Sequence, residues 1–303
     1  MNFKKYTTWG LAINLILLTS TSMAQTYKSA SWSTNIYVGG SNMLGDLGGS
    51  RFIGNRGIFD YNIRANRLAL GTGITMNSGA FSVGLNALGT RLVSNDGYSR
   101  QNFQVARNLS VRTNLFEVSV LGEIRPFSRS AGFNRFYIYT GVGGIYYKPM
   151  SKLKDEWYDL RKAGTEGQFL DNGPGPYSEL DIVIPCGLGY KFRLAKSTSL
   201  LLDVGFRKTF TDYLDDVSTV YADPALLNIA QPNIPVSQLA DKSLISNDIG
   251  SPRGNPLCND SYVIIGLKFE YILGGKSGDG CYYNRNPPKT RSTRINQRKM
   301  FTS

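Results

Sequence analysis

Histidine is absent from the 303-residue chain, and cysteine occurs only three times. Without imidazole there is no Ser-His-Asp or Cys-His catalysis and no histidine-ligated zinc or haem. Three cysteines are too few for a zinc site built from four thiolates or for a disulfide scaffold. Charge is sparse as well: Asp, Glu, Lys and Arg make up 18% of the chain, below the usual quarter. After the N-terminal region no run of about 18 consecutive apolar residues occurs, so no segment reads as a transmembrane helix. What is abundant is glycine (33) and tyrosine (18), a combination that suits a β-rich chain with many turns.

Residues 1–24 have the layout of a secretory signal peptide. Lys4 and Lys5 form a basic start, Trp9 to Leu18 is a short apolar run, and Ser22-Met23-Ala24 places small residues before a cut. That run is too short to span a bilayer as a helix. The rest of the chain is expected outside the cytoplasm, where a membrane role requires a closed β-barrel.

The sequence supplies the strands for one. In Tyr262–Leu273, Val263, Ile265, Leu267, Phe269, Tyr271 and Leu273 fall on one face, opposite Tyr262, Ile264, Gly266, Lys268, Glu270 and Ile272. Strict period-two alternation over such a length predicts a strand. Leu115–Pro126 and Ser199–Phe210 repeat the pattern, and fainter copies lie at Trp32–Gly40, Arg67–Met76, Ala80–Val93, Arg135–Lys148 and Asp181–Arg193. The expected fold is therefore all-β: an eight-stranded antiparallel transmembrane barrel of the outer-membrane type over residues 25–273. The connections alternate strictly. Long ones (Ser41–Asn66, Ser94–Asn114, Pro149–Leu180, Thr211–Ser261) are interleaved with short ones (Asn77–Gly79, Phe127–Asn134, Leu194–Thr198). Outer-membrane barrels show this pattern, with long outer loops and short periplasmic turns.

Charged residues collect on the other face from the apolar one: Glu117, Glu123, Arg125, Asp203, Arg207, Lys268 and Glu270. An eight-stranded barrel has an interior just wide enough for side chains, so these are expected to pair inside it. Aromatics at strand ends (Phe136, Tyr146, Tyr147, Tyr190, Phe192, Phe206, Phe210, Tyr271) are candidates for interfacial girdles.

Candidate chemistry is thin. Gly45-Asp46-Leu47-Gly48-Gly49 is glycine-rich but lacks the Lys-Ser/Thr of a phosphate loop, and reads as a turn. Asp212, Asp215, Asp216 and Asp223 could gather calcium. Their spacing lacks the EF-hand order, which favours local Asx turns and a helix cap at Asp223. No metal, cofactor or catalytic constellation is assigned, and the chain is expected not to be an enzyme.

Residues 274–303 are expected to form a basic, flexible tail. Lys276, Arg285, Lys289, Arg291, Arg294, Arg298 and Lys299 stand there against Asp279 alone, half of the net charge of +12. That concentration argues for no nucleic-acid role. With Cys281, Tyr282 and Tyr283, the basic residues Arg285, Lys289, Arg291, Arg294, Arg298 and Lys299 are the candidate partner-binding residues on the periplasmic side. Of the cysteines, Cys186 falls on an apolar strand face, Cys258 in the last outer loop and Cys281 in the tail. Cys258 and Cys281 then lie on opposite sides of the membrane and are not expected to pair. Cys281 is a candidate for a disulfide with a partner.

Three loop segments carry a more specific likeness. Gly39-Gly40-Ser41-Asn42 with Gly45, Asp46, Gly48 and Gly49 comes first. Thr209 to Ser218 follows, containing Asp212, Tyr213, Asp215 and Asp216, with Tyr221-Ala222-Asp223 after it. Arg253-Gly254-Asn255-Pro256 with Asn259 and Asp260 completes the set. This ordered set resembles the PorG-like (DUF6089) outer-membrane proteins of the Bacteroidota type IX secretion system. The resemblance implies a small barrel in contact with outer-membrane lipid that anchors the periplasmic ring of the PorK lipoprotein and PorN, in support of cargo export. It places the motif residues in outer loops, shaping those loops. The chain departs from the family pattern in its basic tail and in a weak second strand. The alternative is a stand-alone barrel that binds ligands or partners through its outer loops, or conducts small solutes.

Overall fold

A computed structural model describes residues 30–48, 62–99, 101–126, 135–243 and 247–273. The expected signal peptide and basic tail lie outside the described residues, and with them Gly49, Cys281 and every tail residue assigned to partner binding.

Alternating sequence becomes strand as expected. The strands are β1 (Ser31–Leu44), β2 (Arg67–Ser78), β3 (Phe81–Asn95), β4 (Ser110–Ile124), β5 (Phe136–Leu153), β6 (Glu156–Asp159), β7 (Leu180–Arg193), β8 (Thr198–Thr209) and β9 (Ser261–Ile272). All except β6 are antiparallel staves in the order β4-β3-β2-β1-β9-β8-β7-β5, and β4 pairs with β5 to close the ring. The first strand pairs with the last from Ser33↔Ile272 to Leu44↔Ser261. The result is a closed eight-stranded antiparallel barrel of the outer-membrane type. Closure gives each of the eight staves a hydrogen-bonded neighbour on both sides and leaves none of them as an exposed edge. The weak second strand of the sequence is a regular stave, paired with β1 from Ser31↔Asn77 to Ser41↔Arg67.

The strand ends differ from expectation at one end of the barrel. β1 continues to Leu44 instead of Gly40, β4 begins at Ser110 instead of Leu115, and β5 continues to Leu153 instead of Lys148. For β1 the reason is packing. Ser41–Leu44 and Ser261–Ile264 are buried on both faces, because the long connections fold over them. Two-sided burial erases the period-two signal that marks a strand in sequence. β6 was not foreseen; it pairs back on the outer end of β5 from Met150↔Asp159 to Leu153↔Glu156. Among the described residues, four short α-helices also sit in the long connections: α1 (Asn102–Arg107), α2 (Leu160–Ala163), α3 (Pro224–Ala230) and α4 (Val236–Ala240). The opposite end carries short turns; Ser78 and Phe81 are paired across Gly79-Ala80.

The outward face is an apolar belt. Ile36 (63% exposed), Leu70, Val83, Val118, Val142, Ile182, Leu202 and Leu267 all stand clear of protein cover. A soluble protein rarely shows so large a continuous apolar surface, whereas a barrel in hydrocarbon requires one. Among the described residues no helix is long and apolar enough to cross a membrane. Tyr146, Phe192, Phe210 and Tyr271 are exposed on this face, as expected of girdle residues. Tyr147 is not one of them. It is 1% exposed and points inward, where its hydroxyl donates to the Ser178 carbonyl at 2.6 Å. Its neighbour Tyr146 already takes the outward position, and consecutive strand residues face opposite ways.

The interior is filled with paired polar groups. Tyr137 and Tyr139 donate to the two oxygens of Asp203 at 2.8 and 3.0 Å, and Lys268 lies 4.0 Å from the same carboxylate. Glu117 accepts from Tyr262 at 2.8 Å and faces the Arg207 Nε at 3.5 Å. Glu270 pairs with Lys191, a base absent from the expected interior set, and accepts from Ser33 at 2.9 Å. Between Tyr37, Glu117, Tyr139 and Arg207 remains a cavity of about 30 Å3, room for roughly one or two waters. Glu117→Ala strands a buried guanidinium and should destabilise the barrel by ~3–5 kcal/mol, with Glu117→Gln costing less. Urea titration of the detergent-folded barrel, read by the gel shift between unheated and boiled samples, checks this.

Candidate functional site at the capped end

The loop segments singled out in the sequence meet over the mouth of the barrel. Arg253 is 2% exposed and is the hub of the last loop. Its Nη1 lies 2.8 Å from Glu166 Oε1 and its Nη2 3.7 Å from Asp216 Oδ2, while its Nε donates to the Ala240 carbonyl at 3.2 Å. Glu166 also accepts from the Ser218 and Thr219 amides at 2.9 and 3.0 Å, and Asp216 accepts from the Tyr177 hydroxyl at 2.6 Å. A guanidinium supplies five donors in a fixed fork, which is why arginine can hold several loops at once.

A second arginine clamps the first loop to the last. Arg107 makes a two-pronged ion pair with Asp96, Nε to Oδ2 and Nη2 to Oδ1, both at 2.7 Å. The same guanidinium donates to the Arg253 carbonyl at 2.6 Å and to the Asp46 carbonyl at 2.9 Å. Asp96 in turn accepts from the Gly48 amide at 3.2 Å. Asp46 accepts from the Asn255 amide at 2.6 Å, and its own amide and that of Leu47 donate to Asp215 at 2.9 and 3.1 Å. Asp260 accepts from the Leu214 amide at 2.9 Å. All four long connections are therefore joined by buried charged contacts.

These contacts account for the glycines of the first motif. A Cβ on Gly45 would lie 2.6 Å from both Asp215 Oδ2 and Asp260 Oδ1, so only glycine fits between the two carboxyls. Gly48 sits at φ +69, a conformation other residues adopt at a cost.

Most of the predicted loop residues are brought together: Gly45, Asp46, Gly48, Asp212, Asp215, Asp216, Arg253, Gly254, Asn255 and Asp260 all belong to the cap. Tyr213 stacks on Tyr177 at its flank, with ring centroids 4.4 Å apart. Asn259 lies at its edge, its carbonyl accepting from Lys208 at 3.1 Å. Pro256 is exposed and takes no part, nor does its neighbour Leu257 at 91% exposure. Asp223 is separate and caps α3, accepting from the Ala225 amide at 2.8 Å. Asp215 makes the local turn expected of it, accepting from the Val217 amide at 3.1 Å. Among the described residues no group of three or more acidic or cysteine side chains is arranged to hold a metal ion. Cys186 and Cys258 are free thiols. Glu166, Asp96 and Arg107 were missed, because an isolated charge in a long loop carries no local sign that its partner is far away in sequence.

Burial dominates the titration of the cap acids. It pushes Asp212 up to about 9, reinforced by Asp215 and Asp46, and pushes Asp215 and Asp260 well above the ordinary carboxylate range. Asp216 rises less, to about 6, because Arg253 offsets its burial.

Two outcomes follow from this geometry. Arg253→Met leaves Glu166 and Asp216 buried and unpaired and should loosen the cap by ~3–5 kcal/mol, exposing the loops to added protease while the barrel stays folded. The pH response has a fixed sign. An unfolded chain releases the Asp212 proton near pH ~4, whereas the folded cap keeps it until about 9. The folded state thus holds the extra proton between those values, and cap stability falls as pH rises through them. Loop proteolysis should quicken from pH 5 to 9, and Asp212→Asn should flatten that rise.

No family model matches the chain, and no curated protein matches its sequence significantly. Among solved structures it is similar to Ail, the attachment invasion locus protein of Yersinia pestis, at 8% identity and a TM-score of 0.39, covering 81% of this chain and 100% of that one. It is also similar to a major outer membrane protein from Thermus thermophilus, at 12% identity and a TM-score of 0.34, with 81% and 100% covered. The outer membrane protein OprG from Pseudomonas aeruginosa stands at 12% identity and a TM-score of 0.32, with 81% and 97% covered. Identities and scores this low carry no activity or partner across to this chain.

Proposed function

We propose that the chain is a non-enzymatic structural protein of the outer membrane that anchors the periplasmic PorK/PorN ring of a type IX secretion system and supports export of its cargo. The observation that carries the proposal is the convergence of the three resemblance-bearing segments. Asp46, Asp215, Arg253 and Asp260 interlock as one unit, so the likeness involves residues that act together rather than scattered matches. A rigid cap and a filled lumen suit a protein that holds position, and they argue against the reading as a solute pore. β9 ends at the short-turn end, which in this class of barrel faces the periplasm. On this reading the basic sequence of residues 274–303, which follows β9, is what meets an acidic ring partner.

The test is crosslinking in intact cells followed by purification. The full chain should bring down PorK and PorN, and a chain lacking residues 274–303 should lose most of that yield while still folding as a barrel. Deletion of the gene should abolish surface display of cargo. Recovery of no ring subunit, together with unimpaired display, leaves only the stand-alone barrel.

A further inference from the structure

The outward wall of the barrel carries a second organised feature, remote from the cap acids. On β4 the exposed belt ends at Phe116, and on β5 at Tyr146, which is its pairing partner. The next outward residues are Asn114 and Lys148, then Arg112 and Met150. On β3 the outward residue beside Asn114 is Arg91, followed by Val93 beside Arg112. Lys152 continues the row on β5 and is paired with Trp157 of β6. Arg67, Arg91, Arg112, Lys152 and Trp157 line one groove of about 200 Å3.

Among the described residues, the three arginines of this groove have no carboxylate partner. Arg91 donates to the Asn114 side chain at 3.1 Å, and Arg67 to the carbonyls of Arg64 and Asn66 at 3.1 and 2.7 Å. Arg112 lies over the Trp157 ring, 3.6 Å from its centroid, and its Nε is buried without a hydrogen-bond partner. Only Lys152 has an ion pair, with the 95%-exposed Asp155. Three guanidinium groups held around one groove, with no acid among the described residues that line it, repel one another, and an anion relieves that repulsion. Guanidinium forks match phosphate oxygens, and a tryptophan belongs at the boundary between hydrocarbon and water.

We propose that this groove binds the phosphate group of an outer-leaflet lipid, with Arg91 and Arg112 gripping the phosphate and Arg67 and Lys152 adding charge. Position favours a lipid over a soluble anion. The groove opens sideways from the wall, one or two outward residues beyond the end of the apolar belt, at the height where a lipid presents its phosphate. The proposal rests on the long-loop end facing outward, and is independent of the secretion partners.

The full-length protein in a neutral detergent serves for the test, with a diphosphorylated lipid A as probe and its dephosphorylated form as control. Wild type should bind the phosphorylated probe, and the dephosphorylated form should bind ~10-fold or more weaker. Arg91→Gln with Arg112→Gln should lose a similar factor while keeping the gel shift of a folded barrel. Should the double variant not fold, Arg91→Gln alone, on an exposed side chain, should still weaken binding several-fold. Removing two charges at the short-turn end, Arg135→Gln with Lys196→Gln, should change nothing. Equal binding by the groove variant, or an equal loss in the short-turn variant, overturns the proposal. So does a soluble sulfated polysaccharide that binds as tightly as the lipid and depends on the same arginines. If the wild type gives no gel shift and enters no vesicle, the barrel reading itself has failed, whatever the lipid result.

Discussion

The constraint on which everything else depends is that hydrocarbon offers no hydrogen-bond partner to a peptide group. A strand in that medium must have a neighbour on both sides, so the first strand has to find the last. The Ser33↔Ile272 to Leu44↔Ser261 ladder is that meeting, and it fixes the rest. Eight staves give a lumen too narrow for a solvent channel and too wide to leave empty. Side chains must fill it, and alternation sends inward the residues that do not belong against lipid. Charge in such a space survives only in pairs. Asp203 with its two tyrosines and Glu117 with Arg207 and Tyr262 meet that condition.

The capped end answers a different problem with similar chemistry. The strands project past the belt, and the upper turns of the first and last are covered on both faces by the long connections. Those connections contain little regular structure, and backbone bonds such as Arg253 N–H to the Thr219 carbonyl leave part of their polar groups to other partners. Buried carboxylates and two arginines take that role, each reaching several amides or carbonyls of other loops. The cap therefore joins an apolar cluster, with Leu160, Leu214, Val217, Val236 and Leu239 all buried, to a set of directional bonds. Burial raises the pKa of Asp212 and Asp260 within it.

The parts of this molecule that were legible in its sequence are those governed by local periodicity. β9 and its two faces follow residue by residue from the alternation at Tyr262–Leu273, and the charged face of β4 and β8 points to a paired interior. Legibility fails where burial is two-sided. The outer end of β1 loses its alternation because loops cover both faces, and the β6 hairpin is too short to show a period. It also fails where pairing is nonlocal. The motif residues Asp46, Asp215 and Arg253 were found as a group through resemblance, yet their partners Glu166, Asp96 and Arg107 were not. Tyr147 was assigned to the wrong side because two adjacent tyrosines share one composition and only the register separates them.

The cap contacts span long stretches of sequence. Asn255 reaches Asp46 across 209 residues, and Arg253 reaches Glu166 across 87. The closed ring holds the feet of these loops together, so much of the loop-closure entropy of the cap contacts is met by the barrel. A chain stalled before its last strand would carry an open edge and, above it, a mouth lined with unpaired buried acids. Such a species differs from the finished protein in a way that quality-control proteases can read.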